Sequence, residues 1–89
     1  VKGLFNKIKN PLNRCRYVVS TIKKAEGVYE TAVFEATLFY FPKHLSQPAL
    51  AKETHTKDEA WDFHYQVVSR LTREYPPRLF QELQEKTAS

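Results

Sequence analysis

Residues 16–40 hold two runs rich in β-branched and aromatic side chains, R-Y-V-V-S-T-I and V-Y-E-T-A-V-F-E-A-T-L-F-Y, separated by the polar stretch K-K-A-E-G. Such side chains suit a pleated, half-buried surface, and Gly27 is free to take the positive φ that a tight connection requires. The pattern predicts an antiparallel hairpin. Pairing Ile22 with Val28 sets Val18 opposite Ala32 and Arg16 opposite Phe34, on a face that continues through Ala36 and Leu38. The other face carries Tyr17, Val19, Tyr29, Thr31 and Val33. Both faces are too apolar to stand in water, so each needs cover. A helix can serve one; the other is left to the termini, a protein partner or a second copy of the chain. Tyr17, Val19, Tyr29 and Val33 are the residues expected to form that interaction surface.

The cover is legible downstream. Thr56 reads as a helix N-cap, with Asp58 and Glu59 in the first turn and Glu59 three residues on, which makes a capping box. Ala60, His64, Val67, Val68, Leu71 and Tyr75 then fall on one helical face, flanked by Trp61 and Phe63. Pro76-Pro77 ends this helix, and Leu79, Phe80 and Leu83 mark a short final one. Between hairpin and helix, Pro42 and Pro48 exclude regular pairing through F-Y-F-P-K-H-L-S-Q-P, after which Ala49 to His55 can return as a third strand. At the start, Leu4, Phe5, Ile8 and Leu12 make a helical stripe among lysines, broken at Asn10-Pro11 and too short to hold alone in water. The expected architecture is a single α+β domain: a basic arm over 1–14, an antiparallel β-meander of about three strands over 15–55, a main helix over 56–75 and a short helix over 77–86, with short helices at both termini.

Composition narrows the chemistry. Cys15 is the only cysteine, so no internal disulfide, Cys-based zinc site or C-x-x-C redox pair can be written, in keeping with a reducing cytoplasm. Gly3 and Gly27 are the only glycines, which rules out a P-loop or a dinucleotide fingerprint. There is no G-x-S-x-G elbow either. No apolar run approaches the roughly 20 residues that span a bilayer. The opening V-K-G-L-F-N-K-I-K-N has no uninterrupted apolar region, so no signal peptide is expected.

Charge is unevenly spread. Residues 1–25 carry seven basic residues and no acid, whereas 26–89 sum to −3, for a total of +4. A basic end of this kind suits an anionic partner, or packs beside its own acidic body. Lys7, Lys9, Arg14, Arg16, Lys23 and Lys24 are the candidates for phosphate contacts in a nucleic-acid reading, with tyrosines to stack on bases. Leu4, Phe5 and Ile8 with Lys2, Lys7 and Lys9 would suit an interfacial helix on an acidic membrane. His64, in the middle of the apolar stripe, reads first as a satisfied, semi-buried histidine bonded to the sheet or to the loop before the helix; the enzymatic reading makes it a base with Glu35 or Glu53. His44, His55 and His64 stand eleven and nine residues apart and match no compact ligand motif. Asp58, Glu59 and Asp62 are explained by the helix dipole. The expectation is a protein with no catalytic set, no metal and no cofactor.

Several stretches also resemble a family. Val19-Ser20-Thr21, then Glu30, Thr31, Val33 and Phe34, then Thr56, Glu59, Ala60, His64 and Val67 follow the V-S-T strand, E-T-x-V-F strand and T-x-E-E-A-x-x-x-H-x-x-V helix of small conserved hypothetical proteins of tailed phages and prophages. The resemblance covers residues 16–71. The chain departs from it in its long N-terminal arm and Pro-rich C-terminal part. It implies a hairpin-plus-helix fold and a phage-encoded accessory protein of the host cytoplasm, and it supplies no catalytic residues.

Overall fold

The computed structural model describes residues 3–88. Four antiparallel strands, β1 (Gly3–Lys9), β2 (Arg16–Ala25), β3 (Val28–Ala36) and β4 (Leu50–Thr54), form one sheet in the order β1-β2-β3-β4. Two helices follow, α1 (Lys57–Leu71) and α2 (Pro76–Ala88). Both pack on the same side of the sheet, and the core lies between, built from Ile8, Tyr17, Val19, Val33 and Leu50 against Phe63, Val67, Leu71, Leu79 and Leu83. The α+β meander is as expected, with one strand more.

The extra strand is the N-terminal segment, which was expected to be helical. Leu4, Asn6 and Ile8 alternate with Phe5, Lys7 and Lys9, and this period of two serves a strand as well as the looser stripe serves a helix. Pairing decides between them. As a strand, residues 3–9 match β2 residue for residue, from Gly3↔Ile22 to Lys9↔Arg16. A two-turn helix would leave that edge of β2 open and gain little on its own. Ile8 is buried, so the interfacial membrane helix is replaced by a core strand; Lys2 lies outside the described residues.

β2 and β3 pair as Val18↔Phe34, Val19↔Val33 and Ile22↔Glu30. The register differs by two residues from the expected one, so every side chain keeps its face. The strands run closer to the tip than expected, with Ala25 opposite Val28 and Gly27 at φ 69°. β3 stops at Ala36 instead of reaching Tyr40, because Thr37 to Tyr40 fold into a tight turn.

α1 opens as its sequence predicts. The Thr56 hydroxyl accepts from Glu59 N–H at 3.1 Å, and the Glu59 carboxylate reaches back to His55 N–H at 3.3 Å. The helix ends at Leu71, and Tyr75, expected on the apolar face, is exposed. Pro76 does more than stop α1, since it begins α2, where its missing N–H costs nothing. Arg70 ties the two helices, donating to both carboxylate oxygens of Glu74 at 2.8 Å and to Glu82 at 2.7 Å.

Candidate interaction surface

The helix-covered face of the sheet has a polar thread through its core. His64 is fully buried, with Nδ1 2.8 Å from Thr21 Oγ1 and Nε2 2.7 Å from Asn6 Oδ1. Thr21 in turn meets Thr31 Oγ1 at 2.7 Å. An amide oxygen only accepts, so Nε2 carries the proton and Nδ1 accepts from Thr21. Burial holds the imidazole below its ordinary range, which keeps it neutral. Both ring nitrogens are therefore occupied by neutral groups from β1 and β2. Glu35 pairs with Lys43 at 3.3 Å, and Glu53 lies on the opposite face of the sheet with Lys24 at 3.1 Å, so neither acid serves His64. Among the described residues, no three His, Cys, Asp or Glu side chains converge as a metal site would require.

A second polar anchor was not foreseen. Asn10, fully buried, donates from Nδ2 to the carbonyls of Leu71 and Glu74, both at 2.7 Å. Its side-chain oxygen accepts from Leu12 and Asn13 N–H at 2.8 and 3.1 Å. The same side chain thus shapes the β1–β2 turn and caps the carbonyl end of α1. Asn10-Pro11 in the sequence signalled the turn; nothing local signalled the helix.

The expected interaction surface requires a correction. Tyr17, Val19 and Val33 are buried beneath the helices, and Tyr29 packs edge-on against Trp61, with ring centroids 6.2 Å apart. The hairpin has two apolar faces, as read, but the outer strands choose which one the helices cover. On the Val19 side they add Ile8 beside Tyr17 and Leu50 beside Val33, an apolar floor interrupted by Asn6 and bordered by Lys52, whose ammonium lies over the Phe63 ring. On the other side they add Lys7, Lys9 and Glu53. Desolvating those charges under a helix would be costly, so that face stays open.

The open face is the candidate surface. Along its middle lie Val18, Ile22 and Phe34, all half-buried, with Ala32 and Ala51 between them and Phe5 62% exposed. Lys7, Lys9 and Arg16 occupy one end; Glu30 and Glu53, bridged by Lys24, occupy the other. The expected phosphate-contact residues are accordingly divided. Lys7, Lys9 and Arg16 share the open face, Arg14 sits in the adjoining turn at φ 63°, and none has a carboxylate partner among the described residues. Lys23 and Lys24 at the hairpin tip are held by Glu26, and by Glu30 and Glu53. Among the described residues, no helix is long and apolar enough to cross a membrane.

Comparison of the chain with protein-family models, with curated proteins and with solved structures finds no match in any of the three.

Proposed function

We propose that this chain is a non-enzymatic binding module that associates through the open face of its sheet, first of all with a second copy of itself. One observation carries the reading: an apolar strip of Val18, Ile22 and Phe34 crosses the sheet face opposite α1 and α2. Its layout, apolar in the middle and charged at the margins, has the anatomy of a protein interface. A two-fold interface must also complement itself. Here the Lys9–Arg16 corner lies diagonally across the sheet from Glu53, so two sheets packed face to face with strands crossed set the basic corner of each over the acidic corner of the other. Together with the resemblance to phage proteins, this favours an accessory protein acting in the host cytoplasm.

Size-exclusion chromatography with light scattering tests the reading. The wild-type chain is expected to run as a dimer, and Phe34→Glu as a folded monomer. A wild-type monomer at every concentration would sink the self-association.

A second reading has its own support in Lys7, Lys9, Arg14 and Arg16, cations without acid partners among the described residues, on the same side of the sheet as the exposed ring of Phe5 or in the adjoining turn. A single nucleic-acid strand would lay phosphates on the cations and stack a base on Phe5. Affinity for an oligonucleotide should then fall steeply with salt, and again when the four residues are changed to Gln. Binding untouched by those substitutions eliminates this reading.

A further inference from the structure

The connection after β3 makes a tight turn of unusual composition. Tyr40 N–H donates to Thr37 O and Thr37 N–H to Phe41 O, both at 2.9 Å, while Thr37 Oγ1 accepts from Phe41 N–H at 3.2 Å. Below it, Ala36 bridges Pro42, and Lys43 N–H donates to Glu35 O at 2.9 Å. The turn is well fastened. Tyr40 has φ 64°, in the left-handed region where glycine or asparagine is usual. Its ring lies beneath the Arg16 guanidinium, 5.8 Å from the charge, which helps hold that conformation. Turn tips in water ordinarily carry Gly, Asn, Asp or Ser. This one presents Leu38, Phe39 and Phe41, which are 62, 73 and 68% exposed.

Cations surround its base. Lys9, Arg16 and Ala36 form the last row of the sheet, so Lys9 and Arg16 stand beside the turn. Arg14 lies in the β1–β2 turn at the same end of the sheet, and Lys43 follows Phe41 directly after Pro42. Glu35, the acid nearest in sequence, is already paired with Lys43. An apolar tip within a cationic collar is matched to a bilayer interface, where aromatic and leucine side chains enter the headgroup–acyl boundary and Lys or Arg meets lipid phosphate.

We propose that the Leu38–Phe41 turn docks this protein on the surface of an anionic lipid bilayer. The apolar tip lies beyond the Val18–Phe34 strip of the open sheet face, with Lys9 and Arg16 common to both, and the inference does not depend on self-association there. Partial insertion of the three side chains supplies the apolar contact, and Lys9, Arg14 and Arg16 supply the selectivity for negative charge.

Co-sedimentation of the full chain with vesicles is the test, using phosphatidylcholine alone and phosphatidylcholine mixed with phosphatidylserine. Binding to the mixed vesicles is expected to exceed binding to the neutral ones by about tenfold or more, and to weaken with added salt. The double variant Phe39→Ser/Phe41→Ser should lose about tenfold in binding while melting like the wild type, because both side chains are exposed. Lys9→Gln/Arg14→Gln should lose the preference for phosphatidylserine. Phe34→Glu should leave vesicle binding in place, which keeps this test distinct from that of the sheet face. The proposal is overturned if neither vesicle binds the protein, if the tip variant binds equally well, if an oligonucleotide binds while vesicles do not, or if the tip variant merely dissociates a dimer.

Discussion

The two faces of the β2–β3 hairpin are built from the same strands and have similar apolar content, yet one is core and the other is surface. Val19 and Val33 face each other under the helices; Val18 and Phe34, one residue along, face each other in the open. What separates them lies outside the hairpin. β1 and β4 contribute the buried Ile8 and Leu50, with Lys52 at the border, to one face and Lys7, Lys9 and Glu53, with the exposed Phe5, to the other. Hydrophobicity of the central strands sets how much cover a sheet needs, while its edge strands determine where the cover goes. The covered side even accepts a buried polar thread, because Thr21, Thr31 and His64, with the half-buried Asn6, satisfy one another.

The strongest way to break this comparison is to cut equivalent apolar groups from each side. Leu50→Ala removes a fully buried side chain and should cost about 2–5 kcal/mol in urea unfolding, whereas Val18→Ala should cost under about 1 kcal/mol in dilute monomer. Equal losses would mean that the open face is covered in solution. Next comes Asn10→Ala, which strands the Leu71 and Glu74 carbonyls at the end of α1. A loss of about 2–3 kcal/mol is expected by chemical denaturation, against nearly none for Asn→Ala at an exposed turn. The smallest effect concerns His64. Its folded pKa lies below the ordinary 6.5, so the unfolded chain takes up its proton first as pH falls. Stability should therefore decline as pH drops through 6.5 toward the folded value, and level off beneath it. In His64→Gln, the denaturant midpoint at pH 5 should lie closer to that at pH 7.5 than in the wild type. An identical pH slope in both proteins would place the titrating group elsewhere.

What could be read from the sequence follows the range of the interactions involved. The hairpin, the Thr56–Glu59 cap and the α1 stripe are local patterns, and each is where its residues predict. β1 reads as helix in the sequence because Leu4 and Ile8 fit both periods, and the free edge of β2 that settles the matter is not visible within nine residues. Which hairpin face the helices cover is hidden for the same reason, so Tyr17, Val19 and Val33 are buried where the sequence leaves them exposed. Leu38 to Tyr40 read as the end of a strand, since their β-forming side chains give no hint of a left-handed Tyr40. The apolar stripe marks His64 as a hydrogen-bonded, semi-buried residue; it is fully buried, and its partner Asn6 stands 58 positions away.

That distance has a consequence for how the chain comes off the ribosome. Each strand of the meander pairs with its sequence neighbour, so the sheet's contacts form early and cheaply. The polar side chains of β1 are different. Asn6 waits for His64, and Asn10 waits for the carbonyls of Leu71 and Glu74, 61 and 64 residues later. Until α1 has cleared the exit tunnel, a nascent sheet must keep these groups hydrated and its apolar floor uncovered. The domain is thus completed by the meeting of its first strand with the end of α1, and an arrest of synthesis before residue 57 would release a meander with both faces open to association.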